Sequence, residues 1–114
     1  MLKGVALFNR GEFFESHEAM EEAMDLAEDR DWDLFLGLLR AAVANHKLGQ
    51  GEISSAILHL QAALRLLAPY SDRHQGLKLR ELRHSLSAQL ARLTELRARS
   101  APGPLPAAPQ IEFT

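Results

Sequence analysis

The chain has 114 residues, of which 46% are hydrophobic and 25% are charged, a size and composition typical of one globular domain. It contains no cysteine, which excludes disulfides, thiolate metal ligands and cysteine nucleophiles and favours a cytoplasmic location. No apolar run is long enough to cross a membrane, and the first residues do not resemble a signal peptide.

The formal net charge of −2 conceals an uneven distribution of charge. Residues 1–33 carry 10 acids and 3 bases, whereas residues 34–114 carry 5 acids and 10 bases. This division favours acidic and basic helices that face each other or an oligomer partner. A weaker alternative is nucleic-acid binding through the basic part, which lacks the interleaved aromatic residues of such surfaces. The residues concerned are Arg73, Lys78, Arg80, Arg83, Arg92, Arg97 and Arg99.

Helical periodicity extends over most of the chain, and strand signals are weak. The pattern predicts five helices, at residues 2–8, 10–28, 32–48, 52–68 and 77–99. Asn9, with Glu12 three residues later, fits a capping box for the second helix, and Asp31 fits the N-cap of the third. Short glycine-containing turns predict antiparallel helix pairs. We therefore expect an all-α fold, a compact bundle of about five helices in paired antiparallel hairpins.

The last predicted helix carries leucines at heptad-like spacing, interrupted by Gln89. This seam suits either packing within the domain or a homo-oligomer formed through the last helix. The leucines are Leu79, Leu82, Leu86, Leu93 and Leu96.

The segment APGPLPAAPQIEFT holds four of the five prolines. Its composition predicts a flexible or polyproline-like tail at residues 101–114, after a single helical domain at residues 1–100. The closing IEFT is compatible with an extended segment that docks on the domain or on a neighbour.

A weak internal repeat relates the two halves of the predicted bundle. GEFFESHEAMEEAM from Gly11 aligns with GEISSAILHLQAAL from Gly51, an offset of 40 residues. Such a period is typical of paired-helix repeats. The alignment places His17 opposite Ile57, a core-type residue.

The stretch FESHEAMEE nearly matches the zinc-protease motif HExxH, with Glu21 in place of the second histidine. On a helical wheel His17 and Glu21 lie between two phenylalanines, on the arc predicted to face inward, while Glu18 points outward. The metalloprotease reading therefore fails, and an inward-facing His17–Glu21 pair is predicted instead. His46 falls on the apolar arc of the third helix, so His17, Glu21 and His46 form a candidate ligand set for zinc or manganese.

These residues also carry a family resemblance. FNRGEFFESHEAMEEAM resembles the signature of a small all-helical family known as domain of unknown function 309, in which HxxxExx is followed by Trp or Tyr. In this chain His17 and Glu21 take the His and Glu positions of the motif, and Met24 takes its aromatic position. His46 fits a histidine that precedes a glycine-containing turn in a second segment of the family. The resemblance implies a helical fold and a suggested metal-binding role for the His and Glu, without an assigned reaction.

Two functional hypotheses follow for this small cytoplasmic helical protein. The first is a structural or protein-interaction module, non-enzymatic, in which His17 and Glu21 form a buried pair. The second is a divalent-metal-binding protein, and possible hydrolase, that uses His17, Glu21 and His46. No Gly-rich phosphate loop or serine-hydrolase motif is present to favour an enzyme.

Overall fold

The computed structural model describes residues 1–99 and 103–114 and contains five α-helices in those ranges. In chain order the elements are α1 (Leu2–Asn9), α2 (Phe13–Asp25), a 3₁₀ turn (Asp29–Asp31), α3 (Trp32–Gly49), α4 (Ile53–Leu67), β1 (Arg73–His74), β2 (Leu77–Lys78) and α5 (Leu79–Arg99). The predicted all-α bundle is thus confirmed. The predicted boundary between domain and tail, at residues 100 and 101, lies outside the described residues.

Helix α3 is the centre of the bundle, because it packs against both α2 and α4. Small residues on α3 let α4 approach closely: a Cβ added to Gly37 would lie 2.8 Å from the Leu67 side chain. Ala41 and Ala44 on the same helix are also buried. These small residues therefore serve close helix packing.

Helices α1 and α2 meet through a similarly close contact. A Cβ on Gly4 would lie 2.8 Å from the sulfur of Met20. Beside it, the buried Ser16 hydroxyl donates a hydrogen bond of 2.7 Å to the Gly4 carbonyl oxygen. Ser16 therefore satisfies its own polar group inside an apolar contact.

The two helices of each pair, α1 with α2 and α3 with α4, are joined by a turn, and the two turns have the same geometry. In the first, Gly11 has φ +80° and the amides of Gly11 and Glu12 donate to the carbonyls of Phe8 and Leu7. In the second, Gly51 has φ +78°, and the amides of Gly51 and Glu52 donate to Leu48 and Lys47. These are the two bonds of a Schellman motif, which favours glycine at the left-handed position. The offset of 40 residues in the sequence therefore corresponds to a repeated helix–turn–helix geometry.

This turn corrects the predicted start of α2. The helix begins at Phe13 rather than residue 10, and its N-cap is Glu12 without a side-chain cap. Asn9 ends α1 instead, so the predicted capping box does not form. Asp31 does precede α3, but its carboxylate makes no cap hydrogen bond. At its other end α2 stops at Asp25, three residues before the predicted end.

A small β-hairpin replaces the predicted first turn of α5. Arg73 pairs with Lys78 and His74 with Leu77, in antiparallel register. The turn between the strands has positive φ at both Gln75 (54°) and Gly76 (74°), as a type I′ turn requires. With only two residues per strand, the hairpin has too little alternation to produce a strand signal in the sequence.

The leucine seam of α5 packs within the chain. All five leucines are buried, with at most 7% of each residue exposed. Gln89, which interrupts the seam, is buried as well and donates a 2.6 Å hydrogen bond to the Asn45 side chain on α3. The seam is therefore the contact through which α5 covers the helix pairs.

Residues 103–114 of the predicted tail form no helix, and Ile111 and Phe113 pack on the domain, whereas the predicted flexibility of the tail stays a prediction. Ile111 is only 3% exposed and belongs to the core cluster. Phe113 forms a β-bridge with Leu77. The aliphatic Ile111 supplies the apolar anchor that a proline-rich segment otherwise lacks.

None of the helices in the described part of the chain combines the length and the apolar character that a bilayer-spanning helix needs.

Candidate functional site

The sequence predicted that His17 and Glu21 lie on the inward face of α2, but the structure buries a different face of this helix. The buried residues of this helix are Ser16, Ala19, Met20 and Met24. The side chain of Glu21 is 66% exposed and that of His17 is 26% exposed. The prediction of an inward-facing His17–Glu21 pair is therefore wrong: the core contact is centred on Met20, and the pair lies at the edge of that contact.

His17 uses both of its ring nitrogens locally. Nδ1 lies 3.3 Å from the carbonyl oxygen of Phe14, one turn earlier on the same helix. Nε2 lies 3.8 Å from the Glu21 carboxylate, one turn later. An exposed pair at this separation contributes little to stability, about 0–1 kcal/mol. His17 is therefore a surface residue whose orientation is set by its own helix.

Phe14 connects His17 with His46, although the two histidines belong to different helices. The ring centroid of Phe14 lies 5.6 Å from that of His17 and 5.5 Å from that of His46. Both ring pairs are tilted, at 55° and 54°. Phe14 is nevertheless 48% exposed, so half of an aromatic residue remains in contact with solvent between two imidazoles.

These rings line a groove of about 210 Å³ between α2 and α3. We call it the Phe14 groove, and its lining residues are Phe13, Phe14, His17, Val43, His46 and Lys47. Phe13 is fixed from behind by an edge-to-face contact with Phe8, at 5.1 Å between ring centroids. At the other end, the Lys47 ammonium lies 3.4 Å from the Glu52 carboxylate. The groove thus has an apolar floor with polar groups at its rim.

His17 and His46, which the sequence placed in one candidate ligand set, both line the Phe14 groove, whereas the sequence gave no role to Phe14 or Lys47. Phe14 looked like a boundary residue on the wheel because helical spacing alone does not show which of two adjacent phenylalanines is buried. Met24, the residue at the family's aromatic position, is 7% exposed and belongs to the core. It packs inside the bundle and does not line the Phe14 groove.

The predicted metal ligands share this region without converging. His46 faces the same groove as His17, but the Phe14 ring stands in contact with both imidazoles. Within residues 1–99 and 103–114, no three His, Asp or Glu side chains are grouped to hold a metal ion. With these side-chain positions, His17, Glu21 and His46 do not fit a three-ligand centre.

Two histidines outside the candidate ligand set have polar partners. His74 Nε2 donates a 2.8 Å hydrogen bond to the buried carboxylate of Asp31. His59 is half-buried, and Arg40 Nη1 donates to its Nδ1 at 3.1 Å. Burial, with the nearby charges of Arg40 and Lys47, lowers the pKa of His59 below 6.5. His84 is exposed.

The basic residues proposed for nucleic-acid binding are largely engaged in ion pairs. Arg73, Lys78, Arg83, Arg92 and Arg99 all lie within 3.6 Å of a carboxylate. A surface depression of about 770 Å³ is lined by residues of α5: Arg80, Glu81, Arg83, His84, Ser85 and Ser87. A depression along one helix presents an open polar face and does not bring together groups from different elements.

The fold and the site together define a small helical protein. It consists of two helix pairs, α1–α2 and α3–α4, and the further helix α5, with the Phe14 groove at its surface. The sequence profile of a family described as a domain of unknown function (DUF309) matches residues 1–58, which is half of the chain, and the chain belongs to that family. Asn9, Gly11, Phe13, Phe14, His17 and His46 all lie inside the matched region.

A curated relative is an uncharacterized protein of Aquifex aeolicus (strain VF5), which is 32% identical over 84 residues. The match covers 73% of this chain and 25% of the relative, so the chain spans about a quarter of that protein's length. No solved structure matches the chain.

Proposed function

We propose that this protein is a non-enzymatic interaction module that binds a partner protein through the Phe14 groove. The observation that carries the proposal is the 48% exposure of Phe14 between two imidazoles. Aromatic residues that are held rigidly and left partly in solvent are typical anchors of protein–protein contacts.

The surroundings of the groove support a protein partner. The groove of about 210 Å³ adjoins a second depression of about 510 Å³ that shares Phe13, Phe14 and His46 with it, so the surface continues along α2 and α3 beyond the groove. Such a groove suits one large apolar side chain of a partner, which would pack on Phe14 and Val43. The imidazole of His46 and the ammonium of Lys47 also line the groove, where they can donate hydrogen bonds to backbone carbonyls of the partner.

The proposed partner is therefore a peptide segment with one exposed aliphatic or aromatic residue. A peptide library displayed on phage and selected against the full chain tests this directly. We expect the enriched peptides to share one large apolar residue and to bind with micromolar affinity. Phe14→Ala should weaken this binding by about tenfold or more, as expected for a contact anchor.

The matched control for that variant is Leu58→Ala, which removes an apolar side chain that is 66% exposed on α4. Binding should be unaffected by this change, because Leu58 does not line the Phe14 groove. Selected peptides that bind the Phe14→Ala protein as tightly as the original would contradict the proposal.

Divalent-metal binding by His17, Glu21 and His46 is the second candidate function. The observation in its favour is that Glu21 lies 3.8 Å from His17 Nε2 while His46 faces the same groove. For all three to bind one zinc or manganese ion, the Phe14 ring would have to leave the space between the imidazoles. Titration calorimetry with Zn²⁺ and Mn²⁺ on tag-free protein and on His17→Ala tests this candidate, and equal, negligible binding by both proteins would exclude it.

Phe14→Ala also separates the two candidates. If the groove binds a partner side chain, the variant loses the anchor and peptide affinity falls. If the histidines bind metal, the variant keeps all three proposed ligands, and metal affinity is maintained.

A further inference from the structure

The C-terminal segment is held at its centre by a two-point contact with Asn9. The Asn9 Nδ2 donates to the Ile111 carbonyl at 2.9 Å, and the Ile111 amide donates to Asn9 Oδ1 at 2.8 Å. One side-chain amide thus satisfies both polar groups of a single residue. Because Asn9 bonds to the backbone groups of Ile111, this contact recognises an extended backbone and does not depend on the identity of the side chain.

The hairpin supplies the second part of the contact. The Lys78 amide donates to the Glu112 carbonyl at 2.9 Å, and the Thr114 amide donates to the Gly76 carbonyl at 2.8 Å. Together with the bridge between Leu77 and Phe113, these bonds make the segment a third strand on the hairpin edge. Addition of an extended peptide to an exposed sheet edge is a common mode of peptide recognition.

Side chains of the segment alternate between buried and exposed, as in a β-strand with one face packed on the domain. Pro109 and Ile111 are buried, and Phe113 lies over Gly76, where an added Cβ would be 3.8 Å from its ring. Gln110 and Glu112 are exposed, with Gln110 Nε2 donating to the Asn9 carbonyl oxygen at 3.4 Å and the Glu112 carboxylate 3.6 Å from the Lys78 ammonium. The apolar face gives the selectivity and the main-chain hydrogen bonds give the affinity.

Asn9 is specific to the first helix pair. At the corresponding position of the second pair, 40 residues later, the chain has Gly49, whose surroundings are open. The two turns share the same backbone hydrogen bonds, so the turn itself does not require asparagine. The asparagine is explained by its contact with Ile111.

We propose that Asn9 and the hairpin edge at residues 76–78 form a receptor site for an extended Ile-x-Phe segment, filled by the chain's own residues 110–114 and able to take the same segment from a second copy. The contacts lie at the end of one helix and the edge of one hairpin, and they do not depend on the link to α5. Exchange of such a segment between identical chains needs no new contacts.

The first test uses the full chain with Ile111→Ser, which weakens the resident segment, and a fluorescent peptide of residues 103–114 as the probe. We expect saturable binding by anisotropy, and binding weaker by about tenfold or more when Asn9→Ala is added or when the peptide carries serine in place of isoleucine. The unmodified chain should need far more peptide, because its tethered segment competes at high effective concentration.

Circular dichroism must show that Ile111→Ser retains the helical signal of the original chain. Phe113→Ser, which changes a residue that is 40% exposed, replaces it if the core does not tolerate serine. A folded variant that does not bind the peptide, or that binds the isoleucine and serine peptides equally, would overturn the receptor site.

The second test asks whether a second copy can supply the segment. Ile111→Ser leaves the receptor intact, whereas Asn9→Ala leaves the segment intact, so a mixture should form a one-to-one heterodimer by size-exclusion chromatography with light scattering. Each variant alone should show much less dimer. Peptide binding without heterodimer formation would overturn the assignment of a second copy as donor.

Discussion

His74 donates a 2.8 Å hydrogen bond from Nε2 to the carboxylate of Asp31, a residue that is only 3% exposed. Gln75 donates to the other carboxylate oxygen at 2.7 Å. The hairpin is thereby fixed to the N-terminus of α3. Beside it, Tyr70 accepts from the Leu34 amide and donates to the Arg30 carbonyl, so the polar groups around this helix start are satisfied by residues about 40 positions away.

We expect Asp31→Asn to lower the free energy of unfolding by about 1–3 kcal/mol near neutral pH, because it replaces a charged acceptor of two hydrogen bonds by an amide. Urea titration measures this change. Asp33→Asn, at an exposed residue two positions later, is the control and should alter stability by less than about 0.5 kcal/mol.

The effect of Asp31→Asn should depend on pH. The hydrogen bond from His74 lowers the pKa of Asp31 below 3.8, and it outweighs burial, which acts to raise that pKa. The stabilisation from this carboxylate is therefore complete above about pH 3.8 and is lost as the pH falls through the lower pKa of the folded protein. Unfolding curves that differ by the same amount at neutral pH and well below pH 3.8 would contradict this assignment.

Because α3 and α4 are in close contact, we expect Gly37 and Gly49, two glycines of α3, to differ in their tolerance of substitution by alanine. Gly37→Ala should cost about 1–3 kcal/mol, because the new methyl group would overlap the Leu67 side chain. Gly49→Ala meets nothing within 4 Å and should be close to neutral. Thermal unfolding of both variants tests the prediction, and similar melting temperatures would show that the interface relaxes without cost.

Adjacent residues of α2 should also respond differently. Ser16→Ala should cost about 1 kcal/mol, since it removes the buried 2.7 Å hydrogen bond to Gly4. His17→Ala should cost no more than a surface pair, about 0–1 kcal/mol, because Glu21 is mostly exposed. A large loss of stability in His17→Ala alone would restore the structural role that the sequence suggested for this pair.

The buried amides of Asn45 and Gln89 should behave as a coupled pair. Asn45 also donates to the Ala41 carbonyl at 2.9 Å, whereas Gln89 Oε1 has no hydrogen-bond partner among the described residues. Removing either side chain leaves polar atoms of the other unsatisfied, so Asn45→Ala and Gln89→Leu together should cost less than the sum of the two. A double-mutant cycle in urea should give a coupling of about 0.5–3 kcal/mol, and additive changes would rule the coupling out.

The sequence predicted those parts of the fold that depend on local spacing. The leucines of α5 follow from periodicity and the turn at Gly51 follows from turn geometry, and both predictions agree with the structure, whereas the second predicted helix wrongly included Gly11. The orientation of α2 was predicted less well. Two adjacent phenylalanines at the helix start suggested an inward arc, and the core contact of Met20 with Gly4 overrode it.

Contacts between distant residues could not be predicted from the sequence alone. Asn9 and Ile111 are 102 residues apart, and Asp31 and His74 are 43 apart. In each case the sequence offered a local use for the side chain, as a helix cap, and the tertiary contact took it instead. Short polar side chains at helix ends are suited to both uses, so their spacing does not distinguish them.

The turn at Gly51 leads into α4, and the length of this helix determines how much of the chain is needed for folding. The family profile ends at residue 58, only six residues into α4, whereas that helix continues to Leu67. The buried residues Leu60, Ala63 and Leu67 all lie beyond this limit. A fragment cut at residue 58 would keep the turn but lose most of the helix that the turn orders, and it would expose the apolar side of α3. We therefore expect that residues 1–58, the span matched by the profile, do not fold by themselves.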